Sequence, residues 1–370
     1  MKILLTATVQ SHICQFHRPL VETLRAQGDC EIHVAARNNL AEKNGLKLDF
    51  ADKVFDVPFE RSPFSPKNIR AYREIRRILA ENQYDYIHCN TPVGGVVTRL
   101  AARKLRKKGT KVFYTAHGFH FYKGAPLVNW LLFYPMEKLF AHYTDKLITI
   151  NQEDFALAQK KMKAKEVLYV PGVGIDVKRF RDAVADRCAK RGELGVPDDA
   201  FLLLSVGELN KNKNHQIIIK AMAEIPNTQI HYAIAGGGPL KEYLENLAKE
   251  LGVADRVHLL GYRRDVAELY KVSDVFCFPS FREGLSVAVM EAMASGIKLI
   301  VSNIRGNTDM VQDQKNGLIC PPDDLDAFVG AIRNMMEPEY AQAFTISDEY
   351  MRQYDRENIQ KLILQAYDEA

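Results

Sequence analysis

Long apolar runs are absent from this chain of 370 residues, which has no uncharged apolar stretch of about 18 residues or more. We therefore expect no membrane-spanning helix. The first residues, Met1–Thr6, form a short apolar strand without the length or cleavage site of a signal peptide. The six cysteines are far apart and none forms a C-x-x-C pair, as is typical of reduced core residues. We expect a cytoplasmic protein.

The net charge of +4 conceals an asymmetry between the two halves of the chain. Residues 1–170 carry a net charge of +11, and the remainder carries −7. The basic half suggests contact with an anionic surface or ligand. The run Arg103–Lys108 belongs either to a membrane or phosphate patch or to a solvated helix end. No nucleic-acid motif is present and no aromatic residues alternate with the basic ones, so nucleic acid is not an expected partner.

Short apolar runs alternate with amphipathic stretches throughout, and this alternation is typical of parallel sheets covered by helices on both faces. We predict an α/β protein of two Rossmann-like, doubly wound domains separated by a linker at Pro171–Gly174. The first domain is 1–171 with a returning segment, 351–370, and the second is 172–350. Ligands of such sheets bind beyond the carboxyl ends of the strands. The predicted strands are Ile3–Thr8, Glu31–Ala35, Lys53–Val57, Tyr86–Cys89, Lys111–Thr115, Lys146–Ile150, Val167–Val170, Phe201–Val206, Gln229–Ala235, Val257–Leu259, Val275–Phe278 and Lys298–Ser302, and the predicted helices include Arg18–Ala26, Lys67–Glu81, Val97–Lys107 and Glu357–Tyr367.

Two glutamates separated by seven residues follow one of the later strands. Glu283 precedes a predicted helix and Glu291 lies within it. Gly284 allows a close backbone approach, and the N–H groups at a helix start attract phosphate. Carboxylates accept hydrogen bonds in pairs, which suits the vicinal hydroxyls of a sugar. The spacing alone is equally compatible with a capped helix that carries one surface glutamate.

The segment from Glu283 to Gly296 resembles the signature of the retaining glycosyltransferases of family four, which have the two-domain GT-B fold. Their pattern is E-G-[FLI]-[PGS]-x-x-x-x-E-A-x-A-x-G. The resemblance implies that Glu283 contacts the hydroxyls of the donor sugar and that Glu291 binds ribose hydroxyls. It also places Gly284, Leu285 and Ser286 near the sugar and the phosphates.

The turn Gly207–Asn214 is similar to the family pattern G-R-L-x-x-x-K-G, whose Arg and Lys neutralise the donor pyrophosphate. Lys213 matches the lysine, whereas Glu208 replaces the arginine. We predict that Gly207 and Asn210 contact the donor. Because a carboxylate cannot bind pyrophosphate, Arg263 and Arg264 are possible substitutes for the missing cation.

Two further features follow strands, as their counterparts in the family do. The turn Gly236–Gly238 is either structural or close to the nucleotide, and we favour the nucleotide at Gly237. His117 is either a satisfied structural histidine or, as the resemblance implies, directed at the donor sugar. The form of His117–Phe121 resembles a branch that builds capsular and exopolysaccharides.

The Gly-Gly loop that the family has near its N-terminus is absent, and Thr8–His17 takes its place. We expect this segment to be a loop on the acceptor side, where Gln10, His12 and His17 replace bare backbone. We expect a cleft between the two domains, and His88 is another candidate residue for it.

No essential metal or other cofactor is expected. The only D-x-D sequence, Asp324–Asp326, begins a helix where acidic residues serve as caps. Lys213 and helix N-termini would stabilise the leaving diphosphate instead.

The resemblance implies transfer of a hexose or an N-acetylhexosamine, with retention, from a nucleotide-sugar that we expect to be UDP-linked. The expected acceptor is a saccharide or a polyprenyl-diphosphate-linked sugar in surface polysaccharide synthesis. A nucleotide-sugar 2-epimerase and a non-catalytic partner subunit of the same fold are the alternatives. The apolar stretch Leu127–Tyr134 is either a core helix or a peripheral contact with the inner face of the plasma membrane.

Overall fold

The computed structural model describes residues 1–42, 45–226 and 228–368. The chain forms two compact units. Unit 1 is Met1–Val173 together with the C-terminal segment that starts at Arg356, and unit 2 is Gly174–Asp355. The chain therefore returns to unit 1 five residues later than the sequence-based boundary at 351. The backbone N–H of Ile175 donates to the carbonyl of Tyr354 at 3.0 Å, which ties this stretch to unit 2.

Unit 1 contains a parallel sheet of seven described strands in the order β3-β2-β1-β4-β5-β6-β7. This order reverses direction between β1 and β4, as in doubly wound folds. The strands are β1 Lys2–Val9, β2 Glu31–Arg37, β3 Lys53–Asp56, β4 Tyr86–Asn90, β5 Lys111–Ala116, β6 Lys146–Thr149 and β7 Glu166–Tyr169. The first helices are α1 Gln10–Phe16, α2 Arg18–Gln27, α3 Lys67–Glu81, α4 Pro92–Ala102, α5 Leu127–Ala141 and α6 Gln152–Lys161, with short 3-10 turns at Leu40–Glu42 and Arg106–Lys108.

Unit 2 repeats this arrangement with six described parallel strands in the order β10-β9-β8-β11-β12-β13. Its direction reverses between β8 and β11. The strands are β8 Phe201–Val206, β9 Ile230–Ala235, β10 Val257–Gly261, β11 Val275–Phe278, β12 Lys298–Ser302 and β13 Leu318–Cys320. The helices are α7 Val177–Arg181, α8 Arg187–Leu194, α9 Gln216–Glu224, α10 Lys241–Glu250, α11 Val266–Val272, α12 Val287–Ser295, α13 Asn307–Met310, α14 Leu325–Met336, α15 Pro338–Gln342 and α16 Asp348–Met351, with 3-10 turns at Lys211–Lys213, Ala254–Arg256 and Arg352–Tyr354.

The last helix, α17 Arg356–Asp368, belongs to unit 1. Its Leu364, Ala366 and Tyr367 are buried with α2 on one face of the first sheet. Helices α3, α4 and α5 cover the other face, with α4 in contact with both neighbours. Both faces are thus shielded from water, which parallel strands require because they are apolar on both sides.

The predicted α/β class with two doubly wound sheets is confirmed, and each predicted strand is present within about two residues of its expected bounds. The helix predicted over Val97–Lys107 is misplaced, since α4 begins at Pro92 and ends at Ala102. Proline at the first turn costs no hydrogen bond and favours that earlier start. The expectation of a loop over Thr8–His17 is also wrong, because most of this segment forms α1, whose Ile13 and Cys14 are buried.

Candidate functional site

The loops at the carboxyl ends of β8, β9, β11 and β12 bring together most residues that the sequence marks for donor binding. Strands β8 and β11 are adjacent in the sheet, and the strand order reverses between them. Because the loops that follow such a pair leave in opposite directions, a crevice opens at this edge. These candidate residues therefore lie in unit 2.

The centre of this edge is an ion pair between Lys213 and Glu283. Lys213 Nζ donates to Glu283 Oε1 at 2.8 Å, and each side chain is 18% exposed. Lys213 Nζ also lies 4.5 Å from the centroid of the Phe278 ring, where a cation–π attraction adds to its fixation. The amide of Asn212 donates to Arg282 O at 2.8 Å. A cation and a carboxylate are therefore held side by side within reach of a ligand.

The local backbone explains how Lys213 reaches this place. Asn210 caps the 3-10 turn Lys211–Lys213, and its Oδ1 accepts from Lys213 N at 3.0 Å. A Cβ on Gly207 would lie 3.2 Å from Lys213 Cε, so the glycine leaves room for the lysine stem. Gly207 and Asn210, both predicted to contact the donor, thus position Lys213.

Glu208, the departure from the family pattern, points its carboxylate at the same turn. Asn210 Nδ2 donates to Glu208 Oε2 at 3.0 Å, and the glutamate is exposed. Arg263 is engaged elsewhere, since its guanidinium bonds to Asp265 at 2.8 Å and to Glu193 at 2.5 Å. These two carboxylates raise the pKa of Arg263, through hydrogen bonds first to Asp265 and then to Glu193. A guanidinium paired in this way has little net charge to offer a phosphate.

The Gly-rich turn after β9 packs tightly on the turn after β8. A Cβ on Gly236 would lie 1.9 Å from Gly207 O, and one on Gly238, at φ +155°, would lie 2.6 Å from Leu209 O. Gly237 differs, because a Cβ there meets no atom within 4 Å. Its open surroundings suit the backbone approach to a nucleotide that we predict.

The segment after β11 leads directly into helix α12. Ser286 is the N-cap of α12, and its Oγ accepts from Val289 N at 3.4 Å. Gly284 and Leu285 precede this cap, so the predicted phosphate-binding backbone lies at the start of the helix.

Glu291 lies one turn further along α12 and is half-buried. Tyr270 Oη donates to Glu291 Oε2 at 3.3 Å. Burial, only partly offset by this hydrogen bond, raises the pKa of Glu291 to about 7. A buried carboxyl that titrates near neutrality is typical of functional sites.

Sequence reasoning did not assign a role to Arg305, which follows β12. Its Nε donates to Glu283 O at 3.3 Å, and the residue is only 8% exposed. The next residue, Gly306, has φ +81°, and a Cβ there would lie 2.2 Å from Gly284 O. The loops after β11 and β12 are therefore in direct backbone contact. The sequence did contain a signal for this residue, because Arg305 is followed by a glycine, Gly306, just after a predicted strand.

In unit 1, His117 follows β5 and is half-buried. Its Nε2 lies 3.2 Å from Asn90 Oδ1 and 3.2 Å from His12 Nε2. Since an amide oxygen only accepts, His117 donates through Nε2 and keeps its lone pair on Nδ1. Burial, followed by the proximity of His17, lowers the pKa of His117 to about 3. His117 is thus a neutral imidazole in a defined tautomer.

His17 and His88, also in unit 1, are more deeply buried than His117. His88 Nδ1 bonds to Tyr367 Oη at 2.8 Å and its Nε2 to Thr115 Oγ1 at 2.7 Å, which makes it a satisfied core residue. Burial lowers the pKa of His17 to about 4. A cavity lined by His17, His88 and His117 has a volume of about 30 Å³, which fits water and is too small for a sugar. Gln10, placed on the acceptor side by the sequence, is buried and donates to Ala36 O at 3.3 Å.

Two family models match the chain. "Glycosyl transferase 4-like" covers residues 2–151, and "Glycosyl transferases group 1" covers residues 186–358. The chain is 39% identical over 340 residues to the putative glycosyltransferase EpsD of Bacillus subtilis, spanning 90% of this chain and 87% of the relative. The chain belongs to the family-four-like glycosyltransferases. The resemblance on which the sequence analysis rests is thereby confirmed.

Two further comparisons extend this result. The transferase is 28% identical over 306 residues to the Escherichia coli UDP-Gal:alpha-D-GlcNAc-diphosphoundecaprenol alpha-1,3-galactosyltransferase, spanning 80% of this chain and 78% of that one. The structure of Anabaena HepE in complex with UDP and glucose superimposes with a TM-score of 0.80 at 19% identity over all of both chains. The predicted GT-B fold is confirmed by this likeness.

Across residues 1–42, 45–226 and 228–368, no three or more His, Cys, Asp or Glu side chains converge as metal ligands would. In the same ranges no helix has both the length and the apolarity needed to cross a bilayer.

Proposed function

We propose that this glycosyltransferase moves a hexose or an N-acetylhexosamine from a UDP-sugar, with retention of configuration, to a saccharide or polyprenyl-diphosphate-linked acceptor. The observation that carries the proposal is the 2.8 Å pair of Lys213 and Glu283 on two loops of the strand-order reversal. In this proposal Lys213 binds the diphosphate and Glu283 the sugar hydroxyls. The name of the E. coli relative, which contains both UDP-Gal and a diphosphoundecaprenol acceptor, supports the donor and acceptor classes.

The diphosphate leaves toward Lys213 and the start of α12, whose N–H groups and dipole stabilise the charge that develops on it. Glu291 would accept hydrogen bonds from the ribose, and His117 would accept a hydrogen bond from a sugar hydroxyl at Nδ1. A leaving phosphate oxygen takes the acceptor proton from the same face. In this scheme fixed cations and helix dipoles, rather than a metal ion, stabilise the charge on the leaving diphosphate. We therefore propose that no metal ion is required.

The test is a screen of nucleotide-sugars by mass spectrometry for release of the nucleoside diphosphate with a lipid-linked acceptor. Glu283→Gln and Lys213→Met should lower kcat by a factor of about 100 or more, as loss of a transition-state stabiliser does. Lys211→Met is the matched control, because Lys211 lies on the same turn but is exposed. Wild-type turnover in both site variants would refute the assignment.

The alternatives give different results in the same assays. A 2-epimerase would interconvert or release the sugar of UDP-N-acetylglucosamine without any acceptor. A non-catalytic subunit would bind no nucleoside diphosphate in a calorimetric titration.

We also propose that the enzyme works at the inner face of the plasma membrane and docks there through α5. The sequence allowed Leu127–Tyr134 to be either a core helix or a peripheral membrane contact. In the structure one side of α5 packs on the core and the other side is exposed. Trp130, Phe133 and Tyr134 pack on the core of unit 1. The opposite face is apolar and exposed at Leu127, Val128, Leu131, Leu132, Met136 and Leu139, of which Leu127 is 80% and Leu131 75% exposed. An exposed apolar face made of these six side chains is typical of an interaction surface.

The charge around α5 favours an anionic bilayer as the occupant. The helical layer of unit 1, residues 67–81, 92–108 and 123–142, has 13 Lys and Arg against 3 Asp and Glu. Each basic residue near an anionic surface contributes about 1 kcal/mol of attraction, and inserted leucines add to it. The buried pair of Arg99 and Glu137, 2.8 Å apart, anchors α5 to α4 so that the apolar face stays outward.

Sedimentation with phosphatidylglycerol vesicles tests the docking surface. The double variant Leu131→Glu/Leu139→Glu should lose at least about tenfold in vesicle affinity and keep its turnover on a soluble acceptor analogue. Val184→Glu is the matched control, because Val184 is 88% exposed in unit 2. Equal binding by both variants would contradict the proposal. So would a dimer in light scattering that the double variant abolishes, because a second copy would then cover α5.

A further inference from the structure

The enzyme departs from its family at one charged position, and Arg263, one of the two residues that the sequence offered as substitutes, is already paired. Glu208 stands where the family has an arginine for the pyrophosphate, and Asn210 binds its carboxylate. Arg263 is paired with Asp265 and Glu193. A nucleoside diphosphate bears more negative charge than Lys213 alone neutralises, and Lys213 is itself paired with Glu283.

Arg305 and Lys213 both contact Glu283, and they do so from different loops. Lys213 Nζ bonds to the carboxylate of Glu283 at 2.8 Å, and Arg305 Nε bonds to the main-chain carbonyl of the same residue at 3.3 Å. The two cations therefore flank Glu283, one from the turn after β8 and one from the loop after β12.

The fold holds Arg305 in this place. The backbone of Gly306 lies against Gly284 and Leu285, at a distance that only glycine allows. The side chain of Asn307 donates to Ser302 O at 3.0 Å, which fixes the loop on the end of β12. The guanidinium is buried rather than solvated, so its charge is screened little by water.

We propose that Arg305 is the second cation that binds the donor diphosphate, in place of the arginine that the family has at the position of Glu208. This inference rests on the proposed UDP-sugar transfer. A guanidinium is suited to the role, since it donates up to five hydrogen bonds and binds phosphate oxygens in pairs. The second charge has moved from the loop after β8 to the loop after β12, at the same edge of the sheet.

Calorimetric titration of the full chain with UDP and with uridine tests the assignment. Arg305→Gln should weaken UDP at least about tenfold, as loss of a charge-assisted contact does, and leave uridine within about twofold. Arg305→Lys, which keeps the charge but not the paired donors, should fall between the two. Arg333→Gln removes an exposed arginine of unit 2 and should change neither affinity.

A second variant separates a phosphate contact from a mere support of the loop. Glu208→Arg restores the family residue, so the double variant Arg305→Gln/Glu208→Arg should regain at least about half of the lost binding free energy for UDP. Unchanged UDP affinity in Arg305→Gln, an equal loss for uridine, or no recovery in the double variant would overturn the inference. If the wild type binds uridine but not UDP, the proposed function itself fails.

Discussion

The raised pKa of Glu291 should make nucleoside binding dependent on pH. We propose that the ribose hydroxyls bind the ionised carboxylate, whose pKa is about 7 in the free enzyme. At pH 8 about ten in eleven molecules carry the charge, and at pH 6 about one in eleven does. The dissociation constant should therefore rise about tenfold between pH 8 and pH 6. Uridine is the appropriate ligand, because it has no phosphate that titrates in this range.

The substitution Glu291→Gln gives the control for this prediction. Its uridine affinity should be weak and constant from pH 6 to pH 8, because an amide does not titrate in this range. A wild-type dissociation constant that stays within about twofold from pH 6 to pH 8 would refute the reasoning. It would mean that the carboxyl is already ionised or that it does not contact the ribose.

The same carboxyl affects folding stability with a defined sign. The folded state keeps a proton at pH values where the unfolded chain, with a pKa of 4.5, has lost it. The free energy of unfolding therefore falls by about 3 kcal/mol at most as the pH rises from about 4.5 to about 7. Above pH 7 this contribution no longer changes. In urea unfolding, Glu291→Gln should be more stable than the wild type at pH 8 and lose this advantage at pH 5. An equal difference at both pH values would contradict the raised pKa.

The remaining predictions concern stability, positioning and metal dependence. Glu137→Gln leaves the charge of Arg99 buried without its partner and should cost about 3–5 kcal/mol in urea unfolding. Gly306→Ala, at φ +81° and against Gly284 O, should destabilise unit 2 by more than about 1 kcal/mol in thermal unfolding. His12→Ala removes the ring 3.2 Å from the imidazole that we place at the donor sugar, and kcat should fall roughly tenfold with UDP affinity unchanged. Chelation with EDTA should leave turnover unchanged, and a loss that Mg²⁺ reverses would refute the metal-free scheme.

The sequence predicted the fold well because alternating apolar runs and helical stretches leave few parallel arrangements. It was weakest on short elements. Helix α1 has seven residues and no capping side chain, and β13 has three residues, so neither produced a periodic signal. In α5 apolar residues occur on every side, and periodicity could not indicate which side would remain exposed.

The candidate site was predictable to the extent that a motif names its residues. The pattern identified Lys213 and Glu283, but their contact joins positions 70 residues apart and required the sheet order. Arg305 belongs to no pattern that was recognised, so its place became clear only from its hydrogen bond to Glu283 O and the backbone contact at Gly306. For Arg263 the sequence could not show that Asp265 and Glu193 would bind it first.

The return of the chain to unit 1 at Arg356 also determines the order in which the enzyme is completed during synthesis. Residues 174–355 emerge from the ribosome before α17 does, so unit 2 has its whole sheet available while unit 1 still lacks part of its core. The hydrogen bond between His88 Nδ1 and Tyr367 Oη can form only after Tyr367, 279 positions later, has been synthesised. Contacts of such sequence separation form slowly. The half of the protein that is made first is therefore the half that finishes folding last, and a premature stop before α17 would damage the N-terminal half rather than the C-terminal one.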